Sequence, residues 1–588
     1  MYSSALLTLL ALLCNVQAQT SSSVYVEPTV PTGTPIPGDY SGALRPQLHY
    51  SPPIDFMNDP NGMFLDANGT YHLYYQYNPL GIVAGNQHWG HATSQDLYHW
   101  VNQPIAIYPG AAGEGIFSGS AVIDVNNTSG FFPNQTNGVV AMYTLNTATE
   151  ETQEIAYSLD GGYTFTKYAG NPVISIGSNE FRDPKVSWYA PTQSWVAVIS
   201  YAQDFTIGFW TSPNLVNWTH ASNFTHAGIL GLQYECPNLV SMPMLANSSL
   251  ADPLDPSNFA STGEMYILQV SINPGAPQGG SISQYFPGTF NGTVFTPVDT
   301  ATRFTDFAKD NYAGQFFYNI PQSSPQISIA WASNWEYAQT VPTGPLEDFR
   351  SFMTLPRTNV LANTTRNPYT LLAYPLPPPT SLEITPSTPL LSSNNLTNNT
   401  LLASYTSTVP SGALSFSINI TNIPQVNTTG TANFTFLSSV TGEYVRGGVF
   451  LAGGNGDTPL WLDRSGVRGF DNPFFTDKFS TDVWLNPDTS TVRLYGVLDR
   501  SVLEVFLNNG EKAGTMIFFA EGILDTVIIG TNDLNPGIGV SVEVVGLGSA
   551  WAAEEVGGGN GTVLGNVTAM AGGQVMRRDW VGHLGEGM

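Results

Sequence analysis

The chain has 588 residues and carries 18 Lys and Arg against 44 Asp and Glu, a formal net charge of −26. This excludes a phosphate-backbone partner, which needs clustered basic side chains, so no nucleic acid is expected. The length allows two or more domains with sizeable cores, and 31 Phe, 27 Tyr, 58 Gly and 42 Pro point to many strands and tight turns.

Residues 1–18 read as a secretory signal, with an apolar run from Leu6 to Leu13 and a small-residue cleavage site at Val16-Gln17-Ala18. No later run approaches the ~18 apolar residues of a membrane span. The mature protein is therefore expected to be soluble and extracellular, with no membrane partner. Cys14 leaves with the signal and Cys236 remains alone, so no intrachain disulfide can form. Cys236 stands beside Glu235, where a buried, inert thiol packing beneath a site is favoured over a nucleophile. About sixteen Asn-X-Ser/Thr sequons, among them Asn68, Asn127, Asn217, Asn291, Asn363, Asn427 and Asn560, predict N-linked glycans. Residues 19–43 are rich in Ser, Thr and Pro and read as an extended arm.

From 45 to 360 long helical periodicity is absent, and short alternating runs such as Tyr71-His72-Leu73-Tyr74-Tyr75 dominate. A degenerate repeat orders them. Ser94-Gln95-Asp96-Leu97-Tyr98-His99-Trp100 is echoed at Ser158-Leu159-Asp160-Gly161-Gly162-Tyr163-Thr164-Phe165 and at Ser212-Pro213-Asn214-Leu215-Val216-Asn217-Trp218. Each copy follows a strand-like run (His88 to Thr93, Glu154 to Tyr157, Ile207 to Thr211). The spacing suits a four-stranded propeller blade.

Three acidic residues stand in short proline-containing motifs: Asp59 in Met57-Asn58-Asp59-Pro60-Asn61-Gly62, Asp183 in Phe181-Arg182-Asp183-Pro184, and Glu235 in Tyr234-Glu235-Cys236-Pro237-Asn238. Proline disfavours helical geometry in the residue before it, so Asp59 and Asp183 are expected on extended or turn backbone. Cleaving a glycosidic bond takes carboxyl groups in distinct roles. Local structure cannot unite residues so far apart, but the innermost strands of different blades can.

Beyond this region, residues 373–400 read as a Pro-rich linker around Tyr374-Pro375-Leu376-Pro377-Pro378-Pro379. Strand patterns at Ala413 to Ile420, Thr431 to Phe436 and Val502 to Leu507 predict a second all-β unit over 401–556, a sandwich. Residues 557–588 form a Gly-rich tail.

At this point the motifs resemble those of the family 32 glycoside hydrolases, the β-fructofuranosidases. The likeness spans about residues 47–550 and adds Tyr75-Gln76-Tyr77-Asn78-Pro79, Trp89-Gly90-His91-Ala92, Phe117-Ser118-Gly119-Ser120, Trp331-Ala332-Ser333-Asn334-Trp335-Glu336-Tyr337, and the strand Leu498-Asp499-Arg500-Ser501-Val502-Leu503-Glu504-Val505-Phe506. The Ser333–Tyr337 stretch and Phe290-Asn291-Gly292-Thr293 look most like fungal and yeast invertases. The resemblance implies an all-β fold, a five-bladed β-propeller over 44–372 followed by the sandwich, and catalysis with retention of configuration. It implies Asp59 as nucleophile, Glu235 as acid and base, and Asp183 as a transition-state stabiliser. Asn58, Gln76, Phe117, Ser118, Arg182 and Trp335 would bind substrate, sucrose or short fructans. By resemblance alone, a sandwich-mediated homodimer follows. Two departures stand out: Phe56 where many relatives have Trp, and Val83-Ala84-Gly85-Asn86 where many have Trp-Gly-Asn. Losing an indole at Ala84 would widen the pocket near the cleaved bond or change its acceptor side.

No zinc motif, paired-Cys spacing or phosphate-binding Gly loop occurs, so no metal or cofactor is expected. His88 and His91 are poor co-ligands on an alternating strand, and Ser118 lacks a Gly-X-Ser-X-Gly frame. The leading expectation is sucrose hydrolysis. Its rivals are a sucrose-dependent fructosyltransferase, an exo-acting fructanase, and a non-catalytic fructan-binding protein, which should have lost Asp59 or Glu235.

Overall fold

The computed structural model describes residues 34–246, 265–364, 367–378, 380–384, 388–451, 457–485 and 489–551. The expected signal at 1–18 and tail at 557–588 lie outside them. Among the described residues strands dominate, and one five-residue α-helix, Thr343–Glu347, occurs.

Up to Pro375 the strands form successive sheets, antiparallel apart from a short parallel pairing of Phe349–Arg350 with Asp55 and Phe56, whose first long strands are Asp55–Leu65, Gly115–Ile123, Phe181–Tyr189, Tyr234–Met242 and Tyr312–Phe316. These first strands lie side by side in ring order, and Asp55–Leu65 touches Tyr312–Phe316. Apolar layers fill the gaps between sheets. Trp89 and Tyr74 meet Ile116 and Tyr143 in one, Val140 meets Trp195 in the next, and Phe209 meets Leu268 in a third. Ile267 meets Phe316, and Phe317 and Ile329 return to Met57 and Leu73. The aromatic richness of the sequence is spent here, because large flat side chains fill the widening space between twisted sheets. This part is a propeller-type domain.

The sequence repeat marks one recurring turn, between the third and fourth strands of a sheet. Asp96 Oδ1 accepts from the N–H groups of Tyr98 and His99, Asp160 Oδ1 from those of Tyr163 and Thr164, and Asn214 Oδ1 from those of Val216 and Asn217. In the first and third copies the tryptophan indole, of Trp100 and Trp218, donates to the carbonyl of Leu97 and Leu215, residues held at φ 70° and 65°. These Asx turns explain why Asp or Asn recurs two residues after Ser.

Two facing six-stranded sheets follow, containing Ala413–Thr421, Val492–Asp499 and Val502–Leu507 on one side and Thr431–Leu437, Tyr444–Phe450 and Thr526–Asn532 on the other. Alternate residues point inward, so Phe416, Ile418, Phe434, Phe436, Val505 and Ile529 make one core. This is a β-sandwich. Within the expected linker, strand Thr370–Pro375 still belongs to the last propeller-type sheet, and Leu391–Ser393 pairs with Gly539–Leu547 of the sandwich. Proline is tolerated at Pro375 because it ends an edge strand.

Candidate active site

Every first strand is broken at the same level. Register shifts fall between Met57 and Pro60, Ile116 and Gly119, Glu235 and Asn238, and Tyr312 and Gln315, and between Val198 and Ser200 opposite Asp183. Such bulges re-aim side chains out of the pleat. The backbone is left-handed at Asp183 (φ 62°), Cys236 (φ 47°) and Ala313 (φ 51°). Asp183 is thus neither extended nor helical, an unusual conformation for a residue before proline that the neighbouring sheets must hold. At Gly62, φ is +52° and an added Cβ would stand 2.7 Å from the Tyr74 ring, so this motif position admits no side chain.

The bulges bring the three acids together. Asp59 is 8% exposed and Asp183 6%. Ser118 Oγ donates to Asp59 Oδ2 at 2.7 Å, and Asn58 Nδ2 donates to Asp59 Oδ1 at 3.1 Å. The Cys236 thiol touches both carboxylates, 3.5 Å from Asp59 Oδ2 and 3.6 Å from Asp183 Oδ2, and its backbone N–H donates to Asp183 at 2.9 Å. Burial pushes that thiol well above the ordinary range, so it remains protonated and donates rather than attacks. Glu235 is the most accessible of the three, with its side chain 16% exposed. Its Oε1 accepts from Arg182 Nε at 3.3 Å and Gln233 Nε2 at 2.9 Å, and its Oε2 accepts from the Tyr312 hydroxyl.

Burial, opposed by the Ser118 hydrogen bond and reinforced by the charge of Glu235, raises the Asp59 carboxyl to about 6. Burial and the Glu235 charge also push Asp183 upward, against the pull of Arg182. The cause is shared: several carboxyls in one dry pocket cannot all ionise cheaply. Arg182 is the local cation. Its guanidinium spreads over Glu235, Glu151, Glu180 and Gln233.

The other expected positions fall around this cluster. Gln76 is buried and donates to the Ile116 carbonyl at 3.0 Å, and Phe117 is half-buried beside Ser118. Trp335 packs against Trp331 (4.8 Å between ring centres) and Phe56 (6.3 Å), with Ala84 in the same apolar patch. Phe56 itself is buried. Ala84 N–H donates to Gln339 Oε1 at 3.1 Å. His91 pairs with His72 (3.1 Å) rather than with His88. Tyr312, Gln233, Glu151 and Thr144, which accepts from the Asp183 N–H at 3.1 Å, escaped the sequence reading. No spacing marks them. Only the recognition that Tyr312 opens another first strand could have found it. Among the described residues no group of three or more His, Cys, Asp or Glu is placed to hold a metal.

A model described as the glycosyl hydrolases family 32 N-terminal domain matches residues 49–375, and one for the family's C-terminal domain matches residues 388–532. The chain belongs to glycosyl hydrolase family 32. It is 38% identical over 515 residues to an invertase of Schizosaccharomyces pombe, covering 84% of this chain and 85% of that one. It is 41% identical over 487 residues to an extracellular exo-inulinase of Meyerozyma guilliermondii, covering 81% and 90%. Among solved structures, a β-fructofuranosidase from Schwanniomyces occidentalis complexed with fructosyl-erythritol superposes with a TM-score of 0.76 at 36% identity, over 87% of this chain and 98% of that one. The protein is a family 32 glycoside hydrolase of the β-fructofuranosidase group.

Proposed function

We propose that this enzyme is secreted and cleaves terminal non-reducing β-D-fructofuranosides, chiefly sucrose to glucose and fructose, with retention of configuration. The observation that carries this reading is the meeting of Asp59, Asp183 and Glu235 at one mouth with different partners. Asp59, held by Ser118 and Asn58, attacks C2 of the fructosyl unit. The bond from C2 to the leaving oxygen breaks, and that oxygen takes the electron pair and the proton of Glu235. Glu235, now a carboxylate, then takes a proton from water as the water oxygen attacks C2, and the bond to Asp59 breaks. Asp183 binds fructose hydroxyls and is not a proton carrier. The first step needs the proton on Glu235 and the charge on Asp59, two roles that the different partners of these carboxyls serve. Asn58, Gln76, Ser118 and Arg182 contact hydroxyls directly or hold the acids, while Phe117 and Trp335 wall the ring.

The sheets before Pro375 read as five blades, since the apolar layers run from sheet to sheet and return to the first. Glycans on exposed sequons such as Asn68, Asn217 and Asn291 fit an extracellular protein, and a homodimer through the sandwich belongs to the same reading. A second reading, transfer to a sugar acceptor or trimming of longer fructans, is favoured by Ala84, which sets only a methyl group beside Phe56 and Trp335.

The deciding experiment is a product time course from dilute and concentrated sucrose, repeated on inulin. Equal glucose and fructose throughout supports hydrolysis of sucrose. Excess glucose with a trisaccharide supports transfer. Asp59→Asn should abolish turnover, and full activity in that variant would sink the assignment of the nucleophile.

A further inference from the structure

We infer that the sandwich domain positions the acid/base carboxyl, through Arg464, Asp310 and Tyr312; this rests on the assignment of Glu235 proposed above. Arg464 follows strand Asp457–Asp463 of the sandwich and is fully buried, as is Asp310 of the propeller-type domain. Arg464 Nη1 donates to Asp310 Oδ2 at 2.7 Å and to the Ile517 carbonyl at 2.6 Å, and Nε donates to the Thr476 carbonyl at 2.8 Å. The guanidinium lies 3.5 Å from the centre of the Phe475 ring. Asp310 Oδ2 also accepts from the Ile517 N–H at 2.9 Å, and its Oδ1 accepts from the Tyr337 hydroxyl. Asp310 is therefore fastened to the sandwich on one side and to the Trp335 segment on the other.

Two residues later, the Tyr312 hydroxyl donates to Glu235 Oε2. Tyr312 has little freedom between its fastenings. Asp310 is clamped before it, Ala313 turns left-handed after it, and its ring packs on Trp331 at 6.4 Å. The same anchor reaches Trp335: Lys309 Nζ donates to Glu336 Oε2 and to the Phe474 carbonyl of the sandwich, both at 2.6 Å. A fully buried Arg–Asp pair is costly to desolvate and gives stability poorly. Its hydrogen bonds here set where one phenol stands, and a phenol misplaced by about 1 Å orients the acid badly.

Catalysis by a proton donor can be separated from general damage by the leaving group. Fluoride departs from β-D-fructofuranosyl fluoride without a proton, and azide attacks the fructosyl-enzyme without a base. The full-length enzyme and its Asp310→Asn, Tyr337→Phe and Tyr312→Phe variants are assayed on sucrose and on the fluoride with azide, with Glu235→Ala as reference. Tyr312→Phe and Asp310→Asn should lower kcat on sucrose about 10- to 100-fold while staying within about twofold of wild type on fluoride with azide. Tyr337→Phe, which deletes a single hydroxyl, should show the same split at smaller size and decides the matter if Asp310→Asn does not fold. Equal loss on both substrates, or unchanged sucrose turnover, overturns the inference. If Glu235→Ala itself shows no split, the fault lies in the assignment of the acid and not in its anchoring.

Discussion

His49 offers a stability test whose size follows from the structure. It is fully buried before the first sheet, with Nδ1 2.8 Å from Asp499 Oδ2 and Nε2 3.2 Å from Glu504 Oε1, both in the sandwich. Burial alone would push the imidazole down, but hydrogen bonds and charge from Asp499 and Glu504 outweigh it and hold the pKa at about 9, against an ordinary 6.5. At about 1.4 kcal/mol per pH decade, this is about 3 kcal/mol of stability. A raised folded-state pKa means that the contribution is whole below pH 6.5 and is lost as pH rises through 9. Lys185, buried and pushed down to about 7, has the opposite sign in part of this window, because above pH 7 the unfolded chain keeps a proton that the fold does not. The readout is therefore the gap between wild type and His49→Gln in denaturant unfolding at pH 6 and pH 10. The gap should shrink by about 3 kcal/mol at the higher pH. An equal gap at both would show that His49 is neutral in the fold and refute the charge pairing.

Three further outcomes are expected. The buried imidazoles of His72 and His91 stack between Phe64 and Tyr74, and burial pushes His72 down to about 4 and His91 well below the ordinary range. A depressed His pKa costs stability as pH falls from 6.5 toward 4, so melting temperature should drop less over that range in a His72→Phe/His91→Phe double variant than in wild type. Ser118→Ala removes the 2.7 Å donor that helps Asp59 ionise, a charged hydrogen bond of roughly 1.5–3 kcal/mol. It should lower kcat/KM about 10- to 100-fold and move the acidic limb of its pH profile upward, and an unmoved limb would count against Asp59 as the group that must be ionised. Ala84→Trp should narrow the acceptor side and lower the ratio of trisaccharide to free fructose at high sucrose, measured by chromatography.

Much of this architecture was legible in the chain because its determinants are local. The Asx turn needs only Ser and, two residues on, Asp or Asn, so Ser94–Trp100 announced itself and its echoes. Strand Val502–Leu507 follows from a short run that is apolar except for Glu504 and holds two valines and Phe506, and the alternation of Ala413–Thr421 marks its buried face. Asp59, Asp183 and Glu235 stood out because proline and glycine mark special backbone in their motifs. The structure altered some of this: Asp183 is left-handed, Thr370–Pro375 remains a propeller-type strand, and Leu391–Ser393 is already sandwich.

By itself, the sequence determined the all-β class, the two β units and the acids on which the chemistry is proposed to rest, because composition, periodicity and motif chemistry are written along one dimension. The tertiary structure alone decided which residues serve those acids. Tyr312 reaches Glu235 across 77 residues, Ser118 reaches Asp59 across 59, and Glu504 reaches His49 across 455. No periodicity carries such pairings. They arise when first strands bulge at a common level and a sandwich closes on the sheets, and each partner is then chosen by distance in space.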